Sequence, residues 1–138
     1  MKREQHGFTL IELMIVVALF AIITTISVTS YRQYMLRANL TDASAFLLRL
    51  AAAQERWYLD NNAYSNDLVG DLRIGATSER GYYSITVTLN ADPATGYTAV
   101  AEPVADGRQN TDKDCRQLSI NETSSRDSAP KGIDVCWR

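Results

Sequence analysis

Gly7-Phe8-Thr9-Leu10-Ile11-Glu12-Leu13-Met14-Ile15-Val16-Val17-Ala18-Leu19-Phe20-Ala21-Ile22-Ile23 is the stretch on which the reading of this chain turns. From Phe8 to Val28 there are 21 residues and a single charge, Glu12. At about 1.5 Å of rise per residue, such a helix is roughly 30 Å long, the thickness of a bilayer's hydrocarbon core. An ionised acid at the centre of a spanning helix costs about 2.5–3.5 kcal/mol on insertion scales. Glu12 lies nearer the leading edge, where the cost is smaller, but an intramembrane acid still asks for a partner. One partner is a cation on another subunit. The other is a new α-amine, created if the chain is cut between Gly7 and Phe8. Carboxylate and amine of two axially shifted copies would then neutralise each other in an apolar filament core and set the subunit register. The plain alternative is a signal-anchor helix whose Glu12 rests among the headgroups.

Gly7-Phe8-Thr9-Leu10-Ile11-Glu12, preceded by the short basic leader Met1-Lys2-Arg3-Glu4-Gln5-His6, resembles the cleavage and methylation site of type IV prepilins. The resemblance implies that a prepilin peptidase cuts after Gly7 and N-methylates Phe8, and that Glu12 is the assembly carboxylate. The motif joins a cut before the apolar run to an acid within it, a combination that a plain signal anchor lacks. It implies a leader over 1–7, a transmembrane and filament-core half-helix over 8–30, and a periplasmic or extracellular pilin domain over 31–138. Lys2 and Arg3 directly before the apolar run keep the N-terminus cytoplasmic by the positive-inside rule. A cleaved secretory signal fits less well. The run is too long, and Thr24-Thr25-Ile26-Ser27-Val28 offers no small-x-small site.

The 138 residues leave room for one small globular core outside the membrane helix. Formal net charge is −2, from 14 Lys+Arg and 16 Asp+Glu. Losing Lys2, Arg3 and Glu4 with the leader leaves 12 against 15, or −3. That balance argues against nucleic acid as a partner. Cys115 and Cys136 both fall in the part read as exported. An oxidising compartment and an even count favour a disulfide over two free thiols. Closing the 20-residue loop between them would stabilise the fold by about 3 kcal/mol in the chain-entropy model. Two thiols lack the further ligands zinc needs, and His6 sits in the leader, so no metal or other cofactor is expected.

Beyond Val28 the helical pattern continues. Tyr31, Arg32, Gln33 and Tyr34 form an interfacial belt. Leu36, Leu40, Ala43, Leu47 and Leu50 recur at spacings of four and three, widened by Phe46, Ala53 and Trp57. Asp42, Arg49, Arg56 and Asp60 lie on another face, with Arg56 and Asp60 spaced for an i,i+4 ion pair. No Pro or Gly interrupts Phe8 to about Asn61, which predicts one long helix ended by Asp60-Asn61-Asn62. The pattern resembles the long first helix of the type IV pilin fold. Family members often carry Gly at the position of Ala21 and Pro at that of Thr29. Ala21 and Thr29 remove the strongest breakers, while Thr24, Thr25, Ile26, Val28 and Thr29 are β-branched and modest helix formers. Gln54-Glu55-Arg56-Trp57-Tyr58 followed by Asn61-Asn62-Ala63-Tyr64 resembles minor pilins of the PilE type.

Residues 65–80 show no sustained period and read as a loop. Tyr82–Leu89 alternates as a strand, Asn90–Gly96 is a turn, and Tyr97–Glu102 returns to complete a hairpin. Asp106-Gly107 and Asn110-Thr111-Asp112 mark the next turn. Gln117–Asn121 is expected as a third strand, Glu122–Lys131 as a polar loop, and Ile133–Trp137 as a short fourth strand. The fold class is therefore α+β, a long N-terminal helix on a small antiparallel sheet with a C-terminal disulfide-bounded region. That region resembles the variable, exposed D-region of pilins.

An enzyme is poorly supported: the one histidine is in the leader, and no Gly-x-Ser-x-Gly elbow occurs. The resemblance implies a structural subunit of type IV pili. It reads as a minor pilin that joins or primes the filament in adhesion and twitching motility. Its partners would be other pilins, prepilin peptidase, membrane lipid and the inner-membrane assembly machinery. The chain would reside in the bacterial inner membrane before assembly and in the surface pilus afterwards. A pseudopilin of a type II secretion system shares the N-terminal motif. Its calcium site has only Asp106, Asp112 and Asp114 near Gly107 to match it here, without an EF-hand pattern. A DNA-binding pilin for uptake would use Arg108, Lys113, Arg116, Arg126, Lys131 and Arg138, but acids are interspersed among them. Gly7→Ser should leave the leader attached and the protein in the membrane; a normal mature mass by mass spectrometry would overturn the cleavage assignment.

Overall fold

With no helix breaker between Phe8 and Asn61, the chain forms one uninterrupted helix, α1 (Leu10–Asn61, 52 residues). The computed structural model describes residues 8–90 and 93–137, with the backbone alone for Thr29. Gly7 and the leader, two residues of the expected 90–96 turn, and Arg138 lie outside the described residues. By its contacts the chain divides into two units, Met1–Met35 and Leu36–Arg138.

In the first unit every described side chain from Phe8 to Val28 is exposed, and the apolar residues run round the whole circumference of the helix. The hydroxyls of Thr24 and Thr25 donate back to the carbonyls of Phe20 and Ile22, both at 2.7 Å, so neither is left unsatisfied in apolar surroundings.

In the second unit the sheet is β1 (Tyr83–Leu89), β2 (Tyr97–Pro103), β3 (Cys115–Asn121) and β4 (Arg126–Pro130), antiparallel in the order β1-β2-β3-β4. Alternation puts Tyr83, Ile85 and Val87 of β1, Tyr97, Ala99 and Ala101 of β2, and Leu118 and Ile120 of β3 on the buried face. The register aligns Ile85 with Ala101 and Leu118, and Val87 with Ala99 and Ile120. Each row is large, small, large, so the buried face has a trough along β2. The α1 stripe of Leu40, Ala43, Phe46, Leu47, Leu50 and Ala53 shares one core with these residues. Trp57 packs at its margin, and Leu36 is only half-buried.

The helix ends where Asn62 takes a left-handed φ of 52° and donates its N–H to Tyr58 O at 2.8 Å, the αL cap that Asn tolerates. Arg56 makes no ion pair with Asp60; its Nε instead reaches Ala52 O at 3.4 Å. An exposed pair of this spacing gains only about 0.3–0.5 kcal/mol, little against side-chain entropy.

The expected turn over Asp106 to Asp112 holds a 3-10 turn (Arg108–Thr111) that buries Gln109. Two other expectations for the distal part are corrected. The expected Glu122–Lys131 loop holds β4, an edge strand with nearly every residue exposed, which is why it lacks an apolar alternation. It is launched by Asn121, whose Oδ1 accepts from Thr123 N, Thr123 Oγ1 and Ser125 N at 3.2, 2.8 and 2.9 Å. The expected fourth strand at Ile133–Trp137 is instead a single helical turn, α2 (Ile133–Cys136), with Ile133 and Val135 exposed and Cys136 buried. Leu47→Ala, at a fully buried position under the sheet, should cost about 2–5 kcal/mol of unfolding free energy in a denaturant titration. A change within experimental error would mean that α1 is not packed as described.

Candidate functional site

Thr9 precedes α1, and its Oγ1 accepts the backbone N–H of Glu12 at 3.3 Å, while Thr9 O accepts from Leu13 N at 3.2 Å. Thr9-Leu10-Ile11-Glu12 therefore has the Ser/Thr-x-x-Glu form of a capping box, with the Thr side of it made. The three-residue spacing from Thr9 to Glu12 is the signal of this role in the sequence. It places Glu12 in the first helical turn, where the unpaired N–H groups of the helix start favour a carboxylate. Among the described residues no cationic side chain pairs with Glu12. Phe8, the residue after the expected cut, is 83% exposed just ahead of the helix; Gly7 lies outside the described residues. The segment is thus an apolar cylinder with one carboxylate near its tip, long and apolar enough to cross a membrane.

At the other end of α1, Gln54 is fully buried and pairs with one backbone unit. Its Nε2 donates to Ser65 O at 2.5 Å and its Oε1 accepts from Ser65 N at 3.1 Å. The latch turns the chain back beside the helix. There Tyr64 stacks on Tyr58 with ring centroids 4.7 Å apart and meets Tyr97 edge-on at 5.0 Å. Burial, the hydrogen bond from the Tyr64 hydroxyl to Glu55 Oε1 at 3.1 Å and the Glu55 charge push the Tyr64 phenol up to about 12. Burial, and then the nearby Glu55 charge, likewise raise Tyr97. Burial, and then the Asp112 charge, raise Tyr83.

The distal region is closed by the Cys115–Cys136 disulfide, with Cα atoms 5.6 Å apart and both residues buried. Asp112 Oδ1 accepts from Asp114 N and Cys115 N at 2.9 and 3.2 Å, so this acid shapes the entry to β3. Lys131 Nζ lies 3.2 Å from Asp114, the Arg126 guanidinium lies 5.1 Å from the Trp137 ring centroid, and Trp137 Nε1 donates to Asp127 O at 2.8 Å. Arg116 reaches Asn110 Oδ1 at 3.4 Å, while Arg108 and Lys113 are exposed. Among the described residues the distal cations are not gathered into one patch free of acids.

Residues 2–28 match the prokaryotic N-terminal methylation motif, and residues 29–119 match a family described as type IV minor pilin ComP, DNA uptake sequence receptor. The chain belongs to the type IV pilin family. It is a structural subunit of type IV pili, in a family not known for enzymes. The pilin chain is 31% identical over 99 residues to the type IV wide pilus major component PilA4 of Thermus thermophilus, covering 72% of this chain and 74% of that protein. It is 31% identical over 100 residues to the type IV major pilin protein PilE of Neisseria gonorrhoeae, covering 66% of this chain and 60% of that protein. A type IV pilin structure from Shewanella oneidensis superposes with a TM-score of 0.54 at 26% identity, over 75% of this chain and 98% of that one. The non-core minor pilin PilV of Neisseria meningitidis shares the fold, with a TM-score of 0.53 at 18% identity over 70% of this chain and 88% of that one. Family membership implies assembly with other pilins and processing by prepilin peptidase, and the apolar helix fits membrane anchoring before assembly.

The raised phenols have a consequence for pH. An unfolded tyrosine ionises near 10.0, below its folded value, so the stability that Tyr64, Tyr83 and Tyr97 confer is complete below that pH and is lost as pH rises through the folded values. A spectrophotometric titration should show these three of the 7 tyrosines ionising late and together with alkaline unfolding. Simple titration of all the tyrosines near 10, with the fold intact, would contradict their burial.

Proposed function

We propose that the chain is a minor pilin, cut between Gly7 and Phe8, N-methylated on Phe8 and carried into the filament by residues 8–30. Before assembly it sits in the inner membrane as a single-pass protein with its N-terminus cytoplasmic, and the domain over 31–138 lies outside. The inner-membrane assembly machinery then extracts the apolar half-helix into a bundle, where Glu12 answers the N-terminal amine of a neighbouring subunit. The observation that carries this reading is the cylinder itself. Its apolar surface is exposed on all sides, and its one acid has no cation among the described residues. Such a surface needs lipid or other helices round it, and such an acid needs an external positive charge. The match of residues 29–119 to a minor-pilin family supports the subunit class. The relatives named above are pilus subunits, which favours this reading over a secretion-system pseudopilin.

Quantitative mass spectrometry of sheared pili tests the assignment. Trace, reproducible incorporation supports a minor pilin that joins or primes filaments used in adhesion and twitching motility. Near-stoichiometric abundance would make it the major subunit, and absence from pili would reject both. A second reading, a DNA-binding pilin for uptake, has one observation behind it: the matching family is described as a DNA uptake sequence receptor. Salt-dependent DNA binding by the processed chain in detergent supports that reading; no binding at low salt removes it. Neither reading assigns the chain a catalytic role. Glu12→Ala should be processed to normal mature mass yet enter pili at a small fraction of the wild-type level. Undiminished incorporation would show that the carboxylate does not set the register.

A further inference from the structure

Where α1 enters the second unit, a polar node lies against the core. Gln109 is fully buried, and its Nε2 donates to Leu36 O at 3.0 Å and to Asp112 Oδ2 at 3.4 Å. Its Oε1 accepts from Asn39 Nδ2 at 3.1 Å. Arg80 N donates to Asp42 Oδ1 at 3.4 Å. Three buried atoms beside this network have no hydrogen-bond partner: Asn39 Oδ1, Asp42 Oδ2 and the Tyr83 hydroxyl. Asn39 is 2% exposed and Tyr83 0%.

The two amides cannot be turned to remove the deficit. Leu36 O and the Asp112 carboxylate only accept, so the nitrogen of Gln109 must face them and its oxygen must face Asn39. Asn39 must then present its nitrogen to that oxygen, which leaves Oδ1 turned away without a donor. Asn39 and Asp42 are three residues apart on α1 and so lie on one face of the helix. Tyr83 comes across from β1, and the Gln109 amide faces its hydroxyl oxygen, outside good hydrogen-bond geometry. Burial and then the charges of Asp112 and Asp42 keep the Tyr83 proton on, so that O–H is left to donate. Two acceptors and one donor therefore remain at the join between helix and sheet. A hydroxyl can satisfy only one of two acceptors; a water molecule, with two hydrogens and two lone pairs, satisfies the set.

We propose that Asn39, Asp42 and Tyr83 bind one internal water, which accepts from the Tyr83 hydroxyl and donates to Asn39 Oδ1 and Asp42 Oδ2. The water is a strut between α1 and β1. With Gln109, it fixes the rotation of α1 about its axis at the start of the packed stripe, where Leu36 is only half-buried and apolar contact is weakest.

Water-to-protein cross-relaxation NMR on the full chain in detergent micelles tests this. Expected are cross-peaks from a long-lived water to the Asn39 side-chain amide and the Tyr83 hydroxyl, lost in Tyr83→Phe. No long-lived water at these groups overturns the proposal. So does a Tyr83 hydroxyl found donating directly to Asn39 or Asp42, or a sodium or calcium ion bound in the water's place. A double-mutant cycle gives an independent check, because either Tyr83→Phe or Asp42→Ala already disrupts the water's set of partners. The double variant should change the unfolding equilibrium constant at least threefold less than the product of the single effects; a simple product counts against a shared water. If either variant fails to fold, the wild-type cross-peaks alone decide.

Discussion

One continuous helix in this protein must satisfy two different surroundings. Residues Leu10–Asn61 share a single hydrogen-bonded backbone, yet the first part is apolar all round and the later part on one stripe only. A stripe can be covered by a sheet from the same chain. A full circumference cannot, because the remaining residues make one small core and spend it on the stripe. The first half therefore has to be covered by something else; in the function proposed above this is lipid before assembly and neighbouring helices after it. A helix can make that exchange because its backbone groups are satisfied within the segment in either medium. Membrane anchoring and pilus assembly both follow from this constraint.

The sheet answers the stripe with Ala99 and Ala101 on its second strand, flanked by Ile85, Val87, Leu118 and Ile120. These residues share one core with the α1 stripe. Polar devices then fix what apolar packing leaves loose. Gln54 takes both groups of Ser65 at the far end of the helix, and Gln109 holds Leu36 O at the near end. The distal segment is held by the pairing of β4 with β3, by its disulfide and by Trp137, while the side chains of β4 stay mostly exposed, so its surface residues can vary at small cost to the core.

The elements that sequence reading found are those with a strong one-sided pattern. The alternation of Tyr83, Ile85, Val87 and Leu89 and the 3–4 spacing of Leu40 to Leu50 are direct imprints of burial on one face. β4 escaped because a solvated edge strand needs no apolar face. α2 was read as a strand, whereas the structure has a single helical turn that buries Cys136 and leaves Ile133 and Val135 exposed. The capping role of Thr9 was available from its three-residue spacing to Glu12. The partners of Gln54 and Gln109 were not, since their hydrogen bonds span 11 residues and as many as 73.

The sequence by itself determined the apolar run, its single acid, the absence of helix breakers and the even pair of cysteines, because hydrophobic length, charge and backbone propensity are local properties. From these follow the long helix, its membrane-length first half and the pilin resemblance. Only the tertiary structure decided that Gln54 and Gln109 tie distant backbone to the two ends of the packed helix, and that buried amides and a phenol converge where helix joins sheet. Those outcomes depend on register between strands and on which side of a helix faces them. Such relations arise only when residues distant in the chain compete for the same buried space.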